Sequence, residues 1–252
     1  MDYISRNLEL EILAKTDVGK KRARNEDKFI HLSKSKSYGE MDGILGVADG
    51  MGGHAAGDVA SRIAAETFEE VFSGNSTGRR QIKDVLNDTF SIANGKIVKQ
   101  GKNNPAGSMG TTCTVAVFMG GECHIGHVGD SRAYLIRNGE LKQLTDDHSW
   151  VAQLVKDGHI SNEQARVHPN RNVITKALGI DNDVESDFIK LEIKSGDRLL
   201  ICSDGLHGLV EDSTIRDICV NGSANEVVDQ LIREANDNGG LDNITVAIAL
   251  IK

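Results

Sequence analysis

The chain has 252 residues, 39% of them hydrophobic, and carries a formal net charge of −8 at pH 7. This length and apolar content suffice for one large buried core, so we expect a single domain over residues 1–252. The acidic balance disfavours a nucleic-acid or anionic-membrane partner, because phosphate groups are held mainly by Lys and Arg. No run reaches the roughly 20 apolar residues of a membrane span, and the first seven residues lack the basic-then-apolar order of a signal peptide. We therefore expect a cytoplasmic protein, and a monomer.

Strand-like and helix-like patterns follow each other along the chain. The first half is predicted to contain strands at about 8–16, 28–33 and 43–49, helices at about 55–72 and 80–100, and strands at about 111–119, 123–128 and 132–137. The second half is predicted to contain a hairpin turn at Asn138-Gly139, short helices from Ser149 and Ser161, strands on either side of Ser195-Gly196-Asp197, a helix at about 224–237 and a final strand. Strands outnumber helices, and the helices come in consecutive pairs. This order predicts an α+β fold with packed antiparallel sheets covered by helices.

Residues 148–180 have a less regular pattern than the rest of the chain. They combine two short helical segments with a polar loop around Pro169. We expect this segment to form an excursion over a functional site, as a flap would.

Cys113, Cys123, Cys202 and Cys219 show no Cys-x-x-Cys spacing. They lie mostly in apolar, strand-like runs. We therefore expect reduced thiols in the core, not a zinc site.

Four aspartates lie at the ends of apolar runs. Asp49, Asp130 and Asp204 each follow such a run, and Asp242 precedes one. If the runs are strands of antiparallel sheets, the four carboxylates can meet at one edge. Carboxylates so close together need a cation, and Mg²⁺ or Mn²⁺ accepts an all-oxygen shell. A single Asp-Gly or Gly-Asp pair is more often only a turn, but four such sites weaken that interpretation.

A second motif offers a different interpretation. Gly50-Met51-Gly52-Gly53-His54-Ala55 matches the dinucleotide-binding pattern of a nicotinamide-dependent oxidoreductase, since it follows a strand and opens a helix. The next predicted element is another helix, so no second parallel strand follows. Asp49 would also place a carboxylate where a pyrophosphate must approach. We therefore rank this hypothesis well below the metal site.

Six blocks of sequence together resemble a known family. They are Thr16-Asp17-Val18-Gly19-Lys20-Lys21-Arg22-Ala23-Arg24-Asn25-Glu26-Asp27, Val47-Ala48-Asp49-Gly50-Met51-Gly52-Gly53-His54, Met109-Gly110-Thr111-Thr112, Val128-Gly129-Asp130-Ser131-Arg132, Cys202-Ser203-Asp204-Gly205-Leu206 and Asp242-Asn243-Ile244-Thr245. In this order they resemble the signature blocks of the metal-dependent type-2C protein phosphatases, in the bacterial stand-alone form that opposes Ser/Thr protein kinases. The resemblance implies a four-layer fold, with a central sandwich of two antiparallel β-sheets between antiparallel helix pairs.

The resemblance also implies a set of metal ligands. Asp49 would bridge two Mn²⁺ or Mg²⁺ ions, the Gly50 carbonyl would bind one of them, and Asp204 with Asp242 would bind the other. Asp130 would bind a third, weaker ion together with Asp204.

Further roles follow from the same resemblance. Glu26 and Asp27 would act mostly through metal-bound waters, and Arg22 would bind the substrate phosphate. The implied reaction is hydrolysis of phosphoserine and phosphothreonine in proteins by a metal-bridging hydroxide, with Asp49, Asp204 and Asp242 as catalytic residues. The implied partners are phosphorylated proteins and a cognate Ser/Thr kinase.

The proton donor for the leaving oxygen is the open part of this mechanism. Some family members have a histidine directly after the Asp-Gly pair, where this chain has Met51. His54 is the nearest candidate acid, and a local helix-start role is equally compatible with its position. His207 is expected on the loop surface.

A second hypothesis for the whole chain is a catalytically silent phosphoprotein-binding module on the same fold, which the intact set of acidic residues and Arg22 disfavours.

Overall fold

The computed structural model describes residues 9–35, 41–52, 56–74, 80–102 and 108–252. The strands are β1 (Leu10–Asp17), β2 (Asp27–Ser35), β3 (Met41–Met51), β4 (Gly110–Thr111), β5 (Cys113–Met119), β6 (Glu122–Val128), β7 (Arg132–Arg137), β8 (Glu140–Gln143), β9 (Asp187–Glu192), β10 (Arg198–Cys202) and β11 (Ile244–Ile251). The helices are α1 (Ala56–Ser73), α2 (Ile82–Lys102), α3 (Trp150–Lys156), α4 (Asn162–Arg166), α5 (Asp204–His207), α6 (Asp212–Val220) and α7 (Ala224–Asp237). Within these ranges, no helix combines the length and the apolar character needed to cross a membrane.

The strands form two sheets. One has the order β1-β11-β10-β7-β8, and the other has the order β2-β3-β5-β6-β9 with β4 paired to β3. Each pairing between the described strands is antiparallel. The predicted antiparallel α+β fold is therefore confirmed. The parallel crossover that a dinucleotide site requires does not occur among these strands.

The alternation of side chains along β11 shows how the layers are built. Ile244, Val246 and Ile248 pack into a cluster with α6 and α7. Ala247 and Ala249 point the other way and pack between the two sheets. Because both faces of the strand are covered, its sequence is apolar on both faces except at Thr245, instead of alternating.

The second sheet repeats this arrangement. Ile44 and Ala48 of β3 belong to the cluster with α1 and α2, whereas Leu45 and Val47 belong to the cluster between the sheets. Three apolar clusters thus separate four layers in the order helices, sheet, sheet, helices, which is the layering that the resemblance implies. The four cysteines are free and buried in these layers, as expected.

Several local predictions are confirmed. Asn138 and Gly139 both have positive φ, at 54° and 79°, and close β7 and β8 into a hairpin. Ser161 begins α4 through a capping box with Gln164.

Two features of the fold go beyond the sequence interpretation. The Gly129-Asp130 turn carries the chain between the sheets, because β6 belongs to one sheet and β7 to the other. Helices α5 and α6 were not predicted. Helix α5 is a single turn, and α6 is only nine residues long with a weak start at Glu211, whose side chain makes no cap hydrogen bond.

Candidate metal centre

The aspartates predicted from the strand ends lie together in the structure. Asp204 follows β10 and Asp242 precedes β11, and these strands are antiparallel neighbours, so both residues are at the same end of one sheet. In the other sheet Asp27 pairs with Asp49 across β2 and β3. Asp130 lies at the crossing between the sheets.

Burial and mutual repulsion perturb the acidity of this cluster. Burial, followed by the charges of Asp27, Asp204, Asp130 and Asp242, raises the pKa of Asp49 well above its ordinary range. Burial is also the largest cause at Asp27, whose pKa is about 7, and at Asp204, whose pKa is about 6. In each of these three residues the charge of at least one neighbouring aspartate adds to the effect of burial.

The side chains compensate this repulsion in different ways. Burial and the charge of Asp242 raise the pKa of Asp204, and a side-chain interaction with Asp49 acts in the opposite direction. Asp242 Oδ2 accepts one from Arg22 Nη2 at 2.6 Å. Asp130 Oδ1 is buried and has no hydrogen-bond partner. A buried carboxylate oxygen without a partner is costly, and a cation would remove that cost.

Whether the aspartate cluster suits a divalent cation depends on its donor atoms. As the side chains stand, no three His, Cys, Asp or Glu residues in the described ranges form a complete metal-binding group. The available donors are nevertheless all oxygens, and the Asp130 oxygen is unpaired. Hard cations such as Mg²⁺ and Mn²⁺ prefer carboxylate and carbonyl oxygens, so the residues fit such ions.

Two threonines fix the backbone of Asp49. The Asp49 N–H donates to Thr112 Oγ1 at 3.0 Å, and the Asp49 carbonyl accepts from the Thr112 N–H and from Thr111 Oγ1. Both threonines belong to the Met109-Gly110-Thr111-Thr112 block, to which the family resemblance assigns no individual roles. Their hydroxyls make Asp49 a rigid part of the site.

Gly50 lies where only a glycine fits. A Cβ on Gly50 would be 2.2 Å from the carbonyl oxygen of Gly57 and 2.5 Å from that of Glu26. A Cβ on Gly57 would be 2.7 Å from the Gly50 carbonyl carbon and oxygen. The end of β3 and the start of α1 therefore touch through backbone atoms. This contact fixes the position of the Gly50 carbonyl.

Asp27 is buried and held by strand β11. Thr245 Oγ1 donates to Asp27 Oδ2 at 2.7 Å, and Thr245 also bonds Thr16. Glu26, its neighbour, is only half-buried. The two residues thus face different surroundings although they are adjacent in sequence.

The histidines give mixed outcomes. His54 lies outside the described residues. The expectation that His207 is on the loop surface is wrong, because it ends α5 and is 7% exposed. Its Nε2–H donates to the Asp130 carbonyl at 3.0 Å, and burial lowers its pKa to about 3. Neutral His207 therefore links the turn of Asp130 to the helix of Asp204.

The segment predicted as a flap is anchored beside the cluster. Arg132, two residues after Asp130, donates to both oxygens of Asp147. His148 Nδ1 accepts from the Gly129 N–H at 3.0 Å, and the His148 N–H donates to the Gly129 carbonyl. The start of the segment is thus bonded to the turn that carries Asp130.

Comparison with known proteins agrees with this geometry. The family model described as Protein phosphatase 2C matches residues 19–244. Protein phosphatase PhpP of Streptococcus pneumoniae is 37% identical over 241 residues, which cover 95% of this chain and 96% of that protein. Serine/threonine phosphatase stp of Listeria innocua is 37% identical over 239 residues, 93% of each chain.

Solved structures match over the same length. Serine/threonine phosphatase Stp1 of Staphylococcus aureus has a TM-score of 0.89 at 35% identity, covering 96% of this chain and 95% of that one. The catalytic domain of the serine threonine protein phosphatase PstP, in complex with 2 manganese ions, has a TM-score of 0.86 at 36% identity, covering 97% and 99%. The chain belongs to the protein phosphatase 2C family.

Proposed function

We propose that this protein hydrolyses phosphoserine and phosphothreonine in other proteins in a reaction that depends on divalent metal ions. The observation that carries the proposal is the cluster of five aspartates with the Arg22 guanidinium at its edge. Negative charge of this density suits two or more cations, and an adjacent guanidinium suits a phosphate. The names of the relatives, all phosphatases, support the same reaction class.

The family resemblance and the grouping of the aspartates both support an assignment of the residues that would hold the metals. Asp49, the Gly50 carbonyl, Asp204 and Asp242 would hold two Mn²⁺ or Mg²⁺ ions, with Glu26 and Asp27 acting mostly through waters. Asp130, with its unpartnered Oδ1, would hold a third ion together with Asp204. When bound, such ions lower the pKa of a water and offset charge on phosphoryl oxygens.

Arg22 would bind the substrate phosphate. Its side chain is half-exposed, so a phosphoprotein can reach it, while its Nη2 contacts Asp242. The planar guanidinium can donate to two phosphate oxygens at once, and it stays charged at every physiological pH. It would therefore orient the phosphoryl group and stabilise the charge that spreads over its oxygens in the transition state.

The remaining assignments are proposals of the same kind. His54 would protonate the leaving serine or threonine oxygen. The 148–180 segment would control access to the site from its anchor at Gly129 and Arg132. The substrates would be the products of a cognate Ser/Thr kinase, and the whole chain would act as one catalytic domain.

The test is phosphate release from a phosphothreonine peptide with Mn²⁺, with Mg²⁺ and with EDTA. We expect release with at least one metal, none with EDTA, and release slower by orders of magnitude from the Asp204→Asn variant. No release by the wild-type protein with either metal, combined with measurable phosphopeptide binding, would instead support a silent binding module.

A further inference from the structure

The asparagine after Asp242 joins two separated points of the segment that carries Arg22. We define the Arg22 loop as residues 18–26. Asn243 Nδ2 donates to the carbonyls of Val18, at 3.0 Å, and Arg24, at 2.9 Å. Asn243 Oδ1 accepts from the Glu26 N–H at 2.8 Å. Asn243 is 5% exposed, so these bonds are shielded from water.

The chemistry of this position requires an amide. Two carbonyl oxygens face Nδ2 and one N–H faces Oδ1, so the reverse orientation would oppose like partners at all three contacts. Aspartate has nearly the same shape as asparagine but has no donor for Val18 and Arg24. The side chain is therefore matched to the loop and not merely accommodated beside it.

The backbone places the loop on the same turn. The N–H groups of Lys20 and Lys21 donate to the Gly240 carbonyl. Gly19 has φ of +75°, and a Cβ there would lie 2.2 Å from the Asp242 carbonyl oxygen. The loop thus packs along residues 240–243. Its exposed part, which includes Arg22, lies directly after these contacts.

Asn243 affects Arg22 by a route separate from the carboxylate of Asp242. Asp242 Oδ1 accepts from the backbone N–H of residue 243, which any substitution except proline keeps. At the other end of the loop, Ser61 Oγ donates to the Glu26 carbonyl. Loss of the Asn243 side chain would therefore remove the bonds to the Val18 and Arg24 carbonyls, while the Asp242 carboxylate and the Glu26 carbonyl retain the bonds just described.

We propose that Asn243 is a positioning residue that holds the Arg22 guanidinium where it meets the substrate phosphate. This rests on the proposed function, in which Arg22 binds that phosphate. An arginine on an ordered loop binds phosphate without a further loss of backbone conformational entropy. A loop without the Asn243 bonds would lose that entropy each time substrate binds. Its bonds to the carbonyls of Val18 and Arg24 are the contacts through which Asn243 would act on Arg22.

A double-mutant cycle tests this coupling. The values of kcat/KM for a phosphothreonine peptide are measured at saturating Mn²⁺ for wild type, Arg22→Ala, Asn243→Ala and the double variant. We expect each single change to cost roughly tenfold to a hundredfold, as for loss of a charged hydrogen bond. On the Asn243→Ala background, Arg22→Ala should cost less than about threefold, because the arginine is already misplaced. The inhibition constant of inorganic phosphate should rise in both single variants.

Asn94 provides a matched control. On α2 it makes the same three bonds, from Nδ2 to the Asp181 and Asn182 carbonyls and from the Gly179 N–H to Oδ1. It is 1% exposed, and none of these three bonds involves one of the five aspartates. Asn94→Ala should lower the unfolding midpoint as Asn243→Ala does, yet leave the cost of Arg22→Ala unchanged.

Three results would overturn the inference. One is a loss of kcat/KM on Arg22→Ala that is the same, within about twofold, in the wild-type and Asn243→Ala backgrounds. Another is a calorimetric Mn²⁺ affinity that falls enough in Asn243→Ala to explain its lost activity. The third is the same reduction in the cost of Arg22→Ala on the Asn94→Ala background. If Asn243→Ala does not fold, Asn243→Asp, which keeps the acceptor for Glu26, is judged by the same criteria. An inactive wild-type protein would refute the proposed function itself, so the two failures are distinguishable.

Discussion

Buried Asp27 makes the metal-free protein sensitive to pH in an unusual direction. Its pKa is about 7 in the folded protein, mainly because of burial and then the charges of Asp204 and Asp242, against which Thr245 donates a hydrogen bond. In an unfolded chain an aspartate has a pKa of about 3.9. Between these values the folded state holds a proton that the unfolded state has released. The stability contributed by this proton is fully present below about pH 4 and is lost as the pH rises through about 7.

The size of the effect follows from the shift. About 3 pKa units at 1.36 kcal/mol each give about 4 kcal/mol, which is a large part of the stability of a typical domain. Asp204, with a pKa of about 6, also makes the free energy of unfolding fall as the pH rises. Asp27→Asn removes the titrating group and keeps an oxygen that can accept the bond from Thr245 Oγ1. In EDTA, the variant should gain up to about 4 kcal/mol of unfolding free energy relative to wild type between pH 4 and pH 8.

The measurement is urea unfolding of both proteins at several pH values in EDTA, repeated with saturating Mn²⁺. With the metal, the carboxylates are ionised and neutralised, so the relative gain of the variant at pH 8 should disappear. A difference between variant and wild type that stays constant from pH 4 to pH 8 in EDTA would refute the account of Asp27 as a buried, repelled carboxyl.

Three further outcomes are expected from the site. Asp204→Asn should lower kcat by about a hundredfold or more with Mn²⁺ present, because an amide cannot supply the same charge to a cation, while circular dichroism stays unchanged. Arg22→Lys should raise KM about tenfold, since an ammonium cannot contact two phosphate oxygens in the plane of a guanidinium; unchanged KM would contradict the assignment. Gly57→Ala should lower both the unfolding midpoint and the Mn²⁺ affinity, because its Cβ would displace the Gly50 carbonyl, and Gly95→Ala, whose Cβ would meet nothing within 4 Å, is the control.

The sequence was sufficient for features that depend on local pattern. The runs that end at Asp49 and Asp204 predict strands because they are short and almost entirely apolar. Asn138-Gly139 predicts its hairpin because both residues tolerate positive φ. The convergence of the aspartates followed from a single assumption, that the strands are antiparallel. The structure confirms that assumption for each described pair of strands.

Features that depend on contacts between distant segments could not be predicted in this way. The sequence predicts His207 on the loop surface, and only the position of the Asp130 turn gives its Nε2–H a buried acceptor. The passage of the chain between sheets at Gly129 is likewise decided by packing of both sheets. Asn243 could be recognised as part of a motif, but its three partners lie 217 to 225 residues away in sequence.

The division of the site between the sheets explains why packing far from the aspartates matters for the proposed chemistry. Asp27 and Asp49 belong to one sheet, and Asp204 and Asp242 flank strands of the other. The space between the sheets is filled partly by small residues, including Ala116, Ala133, Ala247 and Ala249. Close-packed interiors transmit changes in volume, so the distance between the two pairs of carboxylates is fixed by this inner layer. The core that stabilises the fold therefore also determines which ions the carboxylates can share.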